Sequence, residues 1–246
     1  MAWDNSASSL QLYLLGPLRL VREGQAITAL RRSKSHALLS YLAVTGSSQR
    51  RSTLAALLWP DYADRQAAMS LRTALSDLRK LVGDQLEVTG QSVSLRREVL
   101  WLDVAQFDAL LKRTGDDEAD ALQLQAAVSL YAGDFLAGFH VPGAPEFEHW
   151  VVSERERLRQ AMLTALQTLA AWHAQQRDLA ASLDQLTRLL AMEPASEAGH
   201  RQKMVVLARM GQRSAALTHR RQPDRPCSAQ RPRARSLAAV GHELDA

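Results

Sequence analysis

The chain has 246 residues, 46% hydrophobic and 23% charged, which suits one large or two ordinary folded domains and excludes wholesale disorder. No run approaches about eighteen apolar residues, the N-terminal MAWDNSASSL carries an acid where a secretory leader carries bases, and the lone Cys227 and seven histidines without a His-x-x-x-His pair exclude an internal disulfide and a Cys/His metal site. Charge divides along the chain: residues 10–102 hold 13 Lys+Arg against 7 Asp+Glu, a net of +6, whereas residues 103–217 hold 11 against 15, a net of −4, so a polyanion is drawn to the first half and repelled by the second.

From Leu10, the apolar run Leu10–Leu15, broken at Gly16-Pro17 and resumed over Leu18–Val21, predicts two short strands around a turn, with another turn at Gly24. Ser33 can cap a helix through Ala37, Leu38, Leu39, Tyr41, Leu42 and Val44 that stops at Gly46. A shorter helix starts at Arg51 or Ser52, passes through Leu54, Leu57 and Leu58, and ends at Pro60, because proline cannot continue a helix. After the loop Pro60–Asp64, residues 65–82 put Ala67, Ala68, Leu71, Ala74, Leu75, Leu78 and Val82 on one helical face. Leu86–Thr89 and Ser92–Leu95 alternate with period two around Gly90-Gln91, which predicts a hairpin, and Val99–Leu102 adds one more strand. This order fits a winged helix with an N-terminal sheet, and it also fits other α+β domains.

Beyond Asp103 the strand pattern stops. Amphipathic runs over 104–111, 119–131, 147–173, 179–192 and 195–210 predict an all-helical second domain. Similar openings at Asp178 and Arg213 lie 35 positions apart, close to the roughly 34-residue period of tetratricopeptide helix pairs.

On the helix 65–82, the apolar face falls within about 60° of Leu71, while Arg65, Arg72, Ser76, Arg79 and Lys80 share an outward strip with Thr73 at its edge. Arginine offers a bidentate fork to a guanine edge or a phosphate, lysine a point charge, and serine or threonine either role, so the strip suits a DNA major groove; a solvated helix face is the competing reading. Ser33-Lys34-Ser35 can present a helix N-terminus and the Lys34 cation to phosphate, or serve as a plain cap. The turn Thr89–Ser92, with Gln91 in it, can act as a wing in the minor groove, and Arg96 and Arg97 just after it can reach the backbone.

Leu14–Gly16, Lys34–Ala43, Leu57–Asp61, Leu71–Arg79 and Asp103–Phe107, in that order, resemble the antibiotic-regulatory-protein (SARP-like) family of bacterial activators. Leu130–Leu136, Trp150-Val151 and Glu154–Leu158 are similar to its bacterial transcriptional activator domain. The resemblance covers about residues 10–217. It implies an α+β OmpR-type winged helix over 10–102, followed by an all-α tetratricopeptide-like domain over 103–217. It further implies a regulator, expected in the cytoplasm from the lack of a secretory or membrane-spanning pattern, whose third helix reads double-stranded promoter DNA, with protomers in tandem on direct repeats and the helical domain making dimer or partner contacts. The loop containing Trp59, Pro60, Asp61, Tyr62 and Asp64 would then face RNA polymerase, although an indole before a helix-ending proline also suits the core. After Leu217 the sequence departs from the family: Thr218–Cys227 and Gln230–Arg235 have no apolar period, so residues 218–246 are expected to form a disordered basic tail.

An enzyme reading finds no phosphate-binding Gly-x-x-x-x-Gly-Lys loop, no Gly-x-Ser-x-Gly elbow, no His-Glu-x-x-His and no dinucleotide fingerprint, and Glu146, Glu148 and His149 read as surface charge on a helix start. No catalytic residue, metal or cofactor is expected. The rival is an interaction scaffold built on the helical domain with a repurposed winged helix.

Overall fold

The computed structural model describes residues 10–27, 32–96, 100–112 and 117–220. The expected tail is therefore outside the described residues beyond position 220, as is Arg97.

The first half is a winged helix. Strands β1 (Leu10–Tyr13) and β2 (Arg19–Arg22) pair antiparallel, with Leu10 opposite Arg22, and β3 (Gln25–Ala26) extends β2. Helix α1 (Ser33–Thr45) begins with Ser33 already inside the first turn and Arg32 at the cap position, so Ser33 is not the cap; Gly46, at φ 63°, ends it in the left-handed conformation. Strand β4 (Gln49–Arg50) leads into α2 (Arg51–Leu58), then come α3 (Asp64–Val82), a 3-10 turn at Gly83–Gln85, and the hairpin β5 (Leu86–Val88) and β6 (Ser92–Leu95). The hairpin pairs Leu86 with Leu95, and β4 joins it to give the order β4-β6-β5.

The strand expected near residues 99–102 is β7 (Leu100–Leu102), and it does not extend the hairpin. It lies parallel to β1, Leu12 opposite Leu102, closing the N-terminal sheet in the order β3-β2-β1-β7.

The second half is helical and tetratricopeptide-like: α4 (Asp103–Leu111), α5 (Glu118–Leu130), α6 (Pro145–Gln175), α7 (Leu179–Met192), α8 (Glu197–Arg209) and α9 (Arg213–Arg220). The Asp178 carboxylate caps α7 by accepting from Ala181 N–H at 3.0 Å, and α9 opens at Arg213, so the two similar openings both begin helices. Pro145 sits at the start of α6, where its missing N–H costs nothing.

The halves are joined by backbone as well as by side chains. Leu136 N–H donates to Leu14 at 2.8 Å, Gly16 N–H to Asp134 at 3.2 Å and Ala137 N–H to Gly16 at 2.9 Å, so the segment after α5 is laced to the end of β1. Gly16 adopts φ 124° there, with Gly133 packed against it. Buried Asp103 completes the joint: one carboxylate oxygen accepts from Leu14 N–H at 2.7 Å and Leu15 N–H at 2.8 Å, the other from Val104 N–H at 2.8 Å. Behind it, Tyr41 of α1 meets Trp150 of α6 edge-on at 4.9 Å, and Phe135 and Phe147 flank the same indole. One apolar core consequently runs from Leu12 through Phe107 and Phe147 to Leu169, and among the described residues Ala170, Leu186 and Val206 form a separate small cluster.

Candidate nucleic-acid interface

Helix α3 spans 19 residues, about 28 Å. It packs on α1 and α2 through Ala67, Leu71, Ala74, Leu75, Leu78, Leu81 and Val82. Asp64 in its first turn and Arg79 and Lys80 in its last complement the helix dipole. The buried stripe is rotated from its expected position: Ala68 is exposed and Leu81 is buried. The reason is tertiary. Arg22 of β2 reaches over to donate to the Leu81 carbonyl on that side of the helix, whereas Ala68 lines an open depression.

That uncovered side faces the hairpin across an open depression of about 860 Å³. Its walls carry Arg51, Arg65, Arg72, Ser76 and Arg79, with Gly90 at the hairpin tip, and no carboxylate. Among the described residues, none of these four guanidinium groups has a hydrogen-bond or ion-pair partner. Arg51 is the member that sequence reasoning missed. It arrives because β4 pairs with β6, Arg50 opposite Ser92, and because Arg51 N–H donates to the Gln91 carbonyl at 2.9 Å. A two-residue strand has no detectable period; the only sequence signal was the Arg50-Arg51 doublet between two helices.

The remaining strip residues are placed differently. Lys80 turns to the other flank of α3, where its ammonium stands 4.0 Å from Asp77, itself 3.7 Å from Arg32. It lines a separate depression with Arg22, Glu23 and Asp77. Thr73 is exposed, and its hydroxyl donates to the Met69 carbonyl at 3.1 Å. Gln91 is exposed at the hairpin tip, in a turn held by the Thr89 hydroxyl, which accepts from Ser92 N–H at 2.9 Å. Arg96 is tied across the hairpin to Glu87, its Nε donating at 2.6 Å, so its charge is already matched.

Lys34 lies on none of these surfaces, and its ammonium is engaged within the protein. Its ammonium donates to the Leu58 carbonyl and, at 3.3 Å, to the Gly143 carbonyl of the helical domain. It stands over the rings of Trp59 at 5.4 Å and Tyr62 at 5.7 Å. Desolvation lowers its pKa, with Asp61 opposing. Neighbouring Ser35 is 1% exposed, whereas Ser33 at the start of α1 is on the surface.

The loop between α2 and α3 divides in the same way. Trp59 is 7% exposed and part of the core, while Pro60, Asp61, Tyr62 and Asp64 are on the surface. Glu148 does not sit as free surface charge: it accepts from Val141 N–H at 2.7 Å and lies 3.1 Å from the His140 ring. Among the described residues, no group of three or more His, Cys, Asp or Glu is placed to hold a metal, and no helix is long and apolar enough to cross a membrane.

Comparison with known proteins accords with this architecture. Residues 102–223 match the bacterial transcriptional activator domain. The chain is 27% identical over 219 residues to the regulatory protein AfsR of Streptomyces griseus and 28% identical over 225 residues to that of Streptomyces coelicolor. Those alignments take in 86% and 88% of this chain but 22% of each relative, so the chain spans about a fifth of their length. Mycobacterium tuberculosis EmbR, solved in complex with a low-affinity phosphopeptide, shares the fold with a TM-score of 0.68 at 20% identity, over 87% of this chain and 59% of that one. The activator-domain match and the two regulatory relatives make the chain similar to SARP-like bacterial transcriptional regulators, and the likeness to EmbR shows the shared fold, a winged helix followed by a helical repeat.

Proposed function

We propose that the chain is a sequence-specific DNA-binding regulator that lays α3 in the major groove of promoter DNA, with the β5–β6 hairpin on the adjacent backbone. The observation that carries this reading is the set of four guanidinium groups, Arg51, Arg65, Arg72 and Arg79, without a hydrogen-bond or ion-pair partner among the described residues, around a depression with no acid in its walls. Elsewhere on the same domain, Lys80 and Arg96 face acids. Cations left without counter-charges in a concave surface attract phosphate and release its counterions on binding. Arg72 and Arg79 are on the exposed face of α3 and suit base edges; Arg51, at the start of α2 beside the hairpin, suits a phosphate.

Two further elements complete the proposal. The exposed residues Pro60, Asp61, Tyr62 and Asp64 form the surface offered to RNA polymerase, with Trp59 beneath them as its support. Protomers occupy direct repeats in tandem, and the helical domain makes the dimer or partner contacts.

The test is a salt titration of binding to duplex fragments of a bacterial genome by the full chain. Log affinity should fall with log salt at about −0.9 per phosphate neutralised, and Arg51→Ala should flatten the slope by about one contact. Arg72→Ala or Arg79→Ala should cost about 1–3 kcal/mol on a selected site. Binding independent of salt, or unchanged in both α3 variants, refutes the placement of α3 in the groove.

A further inference from the structure

The exposed strip of α3 is not wholly polar. Met69 is 64% exposed, and with exposed Ala68 it lines the same depression as Arg65 and Arg72. Met69 occupies the turn between those two arginines, so a partner engaged by both guanidinium groups covers its thioether. Thr73, exposed one turn further on, commits its hydroxyl proton to the Met69 carbonyl at 3.1 Å and adds a methyl group beside Met69. Ala68, Met69 and the Thr73 methyl therefore make a short apolar step within a cationic strip.

Such a step has a specific counterpart. In the major groove the thymine 5-methyl is the one apolar group on a base edge, and apolar side chains read it by contact. A protein partner with an apolar knob would also have to match Arg65, Arg72 and Arg79, which line a depression with no acid in its walls; a duplex supplies the negative charge and the methyl group together. Resting on the proposed DNA-binding role of α3, we propose that Met69, backed by Ala68 and the Thr73 methyl, is a specificity-determining residue that selects thymine in the site bound by this helix.

The experiment uses the full chain and duplexes selected by it from a randomised library. Each thymine of the selected site is replaced in turn by deoxyuridine, which removes only the methyl group. At one thymine the wild-type protein should lose about 4-fold in affinity, the factor that corresponds to one buried methyl-sized group. Met69→Ala should bind the thymine and deoxyuridine duplexes equally, and Met69→Leu should restore the preference. Because Met69 is outside the core, circular dichroism should show both variants folded as the wild type. Equal sensitivity to every deoxyuridine in wild type and Met69→Ala, or no sensitivity in the wild type, overturns the assignment while salt-dependent binding stands. Failure of the wild-type chain to select any duplex overturns the DNA-binding reading and this inference with it.

Discussion

Replacing Asp103 with asparagine tests the joint between the two halves. The side chain is 1% exposed, and burial pushes its pKa up to about 6, against the opposing pull of the Leu15, Leu14 and Val104 amides and of Arg19. A carboxyl whose folded pKa lies above its unfolded value of 3.8 favours the folded state most when protonated: that contribution is complete below about pH 3.8 and is lost as pH rises through about 6. The interval corresponds to about 3 kcal/mol over the whole titration, of which about 2 kcal/mol falls between about pH 4.5 and 8. In Asp103→Asn, the remaining carbonyl oxygen can accept from Leu14 and Leu15, but the amide group meets Val104 N–H donor to donor. The stranded donor costs about 1–3 kcal/mol, which at alkaline pH roughly offsets the gain from removing a buried charge. Urea unfolding of both proteins, followed by tryptophan fluorescence, should give similar stabilities near pH 8 and a wild-type advantage of about 2 kcal/mol near pH 4.5. A stability difference independent of pH, or one that grows toward alkaline pH, refutes the assignment of a raised pKa to this carboxyl.

Gly16→Ala places a side chain at φ 124°, 3.5 Å from the Ala132 Cβ, in the segment that laces the halves together; thermal melts should show a loss of roughly 1–3 kcal/mol, about 3–10 °C for a chain of this size. Gly90→Ala, with open space around it, is the control and should leave the melting temperature unchanged. Lys34→Met removes the donor to the Leu58 and Gly143 carbonyls and should speed amide exchange at Tyr62 about 5-fold while the core amides of α3 stay protected. Unaltered exchange at Tyr62 means the ammonium does not brace that loop.

What local pattern could reveal, it revealed closely. The hairpin was legible because alternation around Gly90-Gln91 is complete within ten residues, and α7 runs over Leu179–Met192 as its spacing required. The outward face of α3 was legible for the same reason: Leu71, Leu75 and Leu78 fix the rotation of the helix to within one flank. The flank itself was not, because which side of the helix is buried is set by segments distant in sequence, such as β2, whose Arg22 meets the Leu81 carbonyl.

The candidate site shows the same boundary. Arg65, Arg72, Ser76 and Arg79 share a face by helical geometry alone, so sequence sufficed to group them. Whether a cation is free or spent is a matter of distance to an acid or a carbonyl, and chain order carries no such distances. Lys34 resembled the others until the fold brought Leu58 and Gly143 to it, Arg96 until the hairpin set it opposite Glu87, and Lys80 until it turned toward Asp77. Arg51 joined the group only because β4 pairs with β6, and β7 found its parallel partner in β1, at the opposite end of the domain in sequence. Periodicity is written within a few residues and determines which side chains share a face. Pairing between distant segments is decided by the closed tertiary structure, and it selects which of those side chains remain available to a partner.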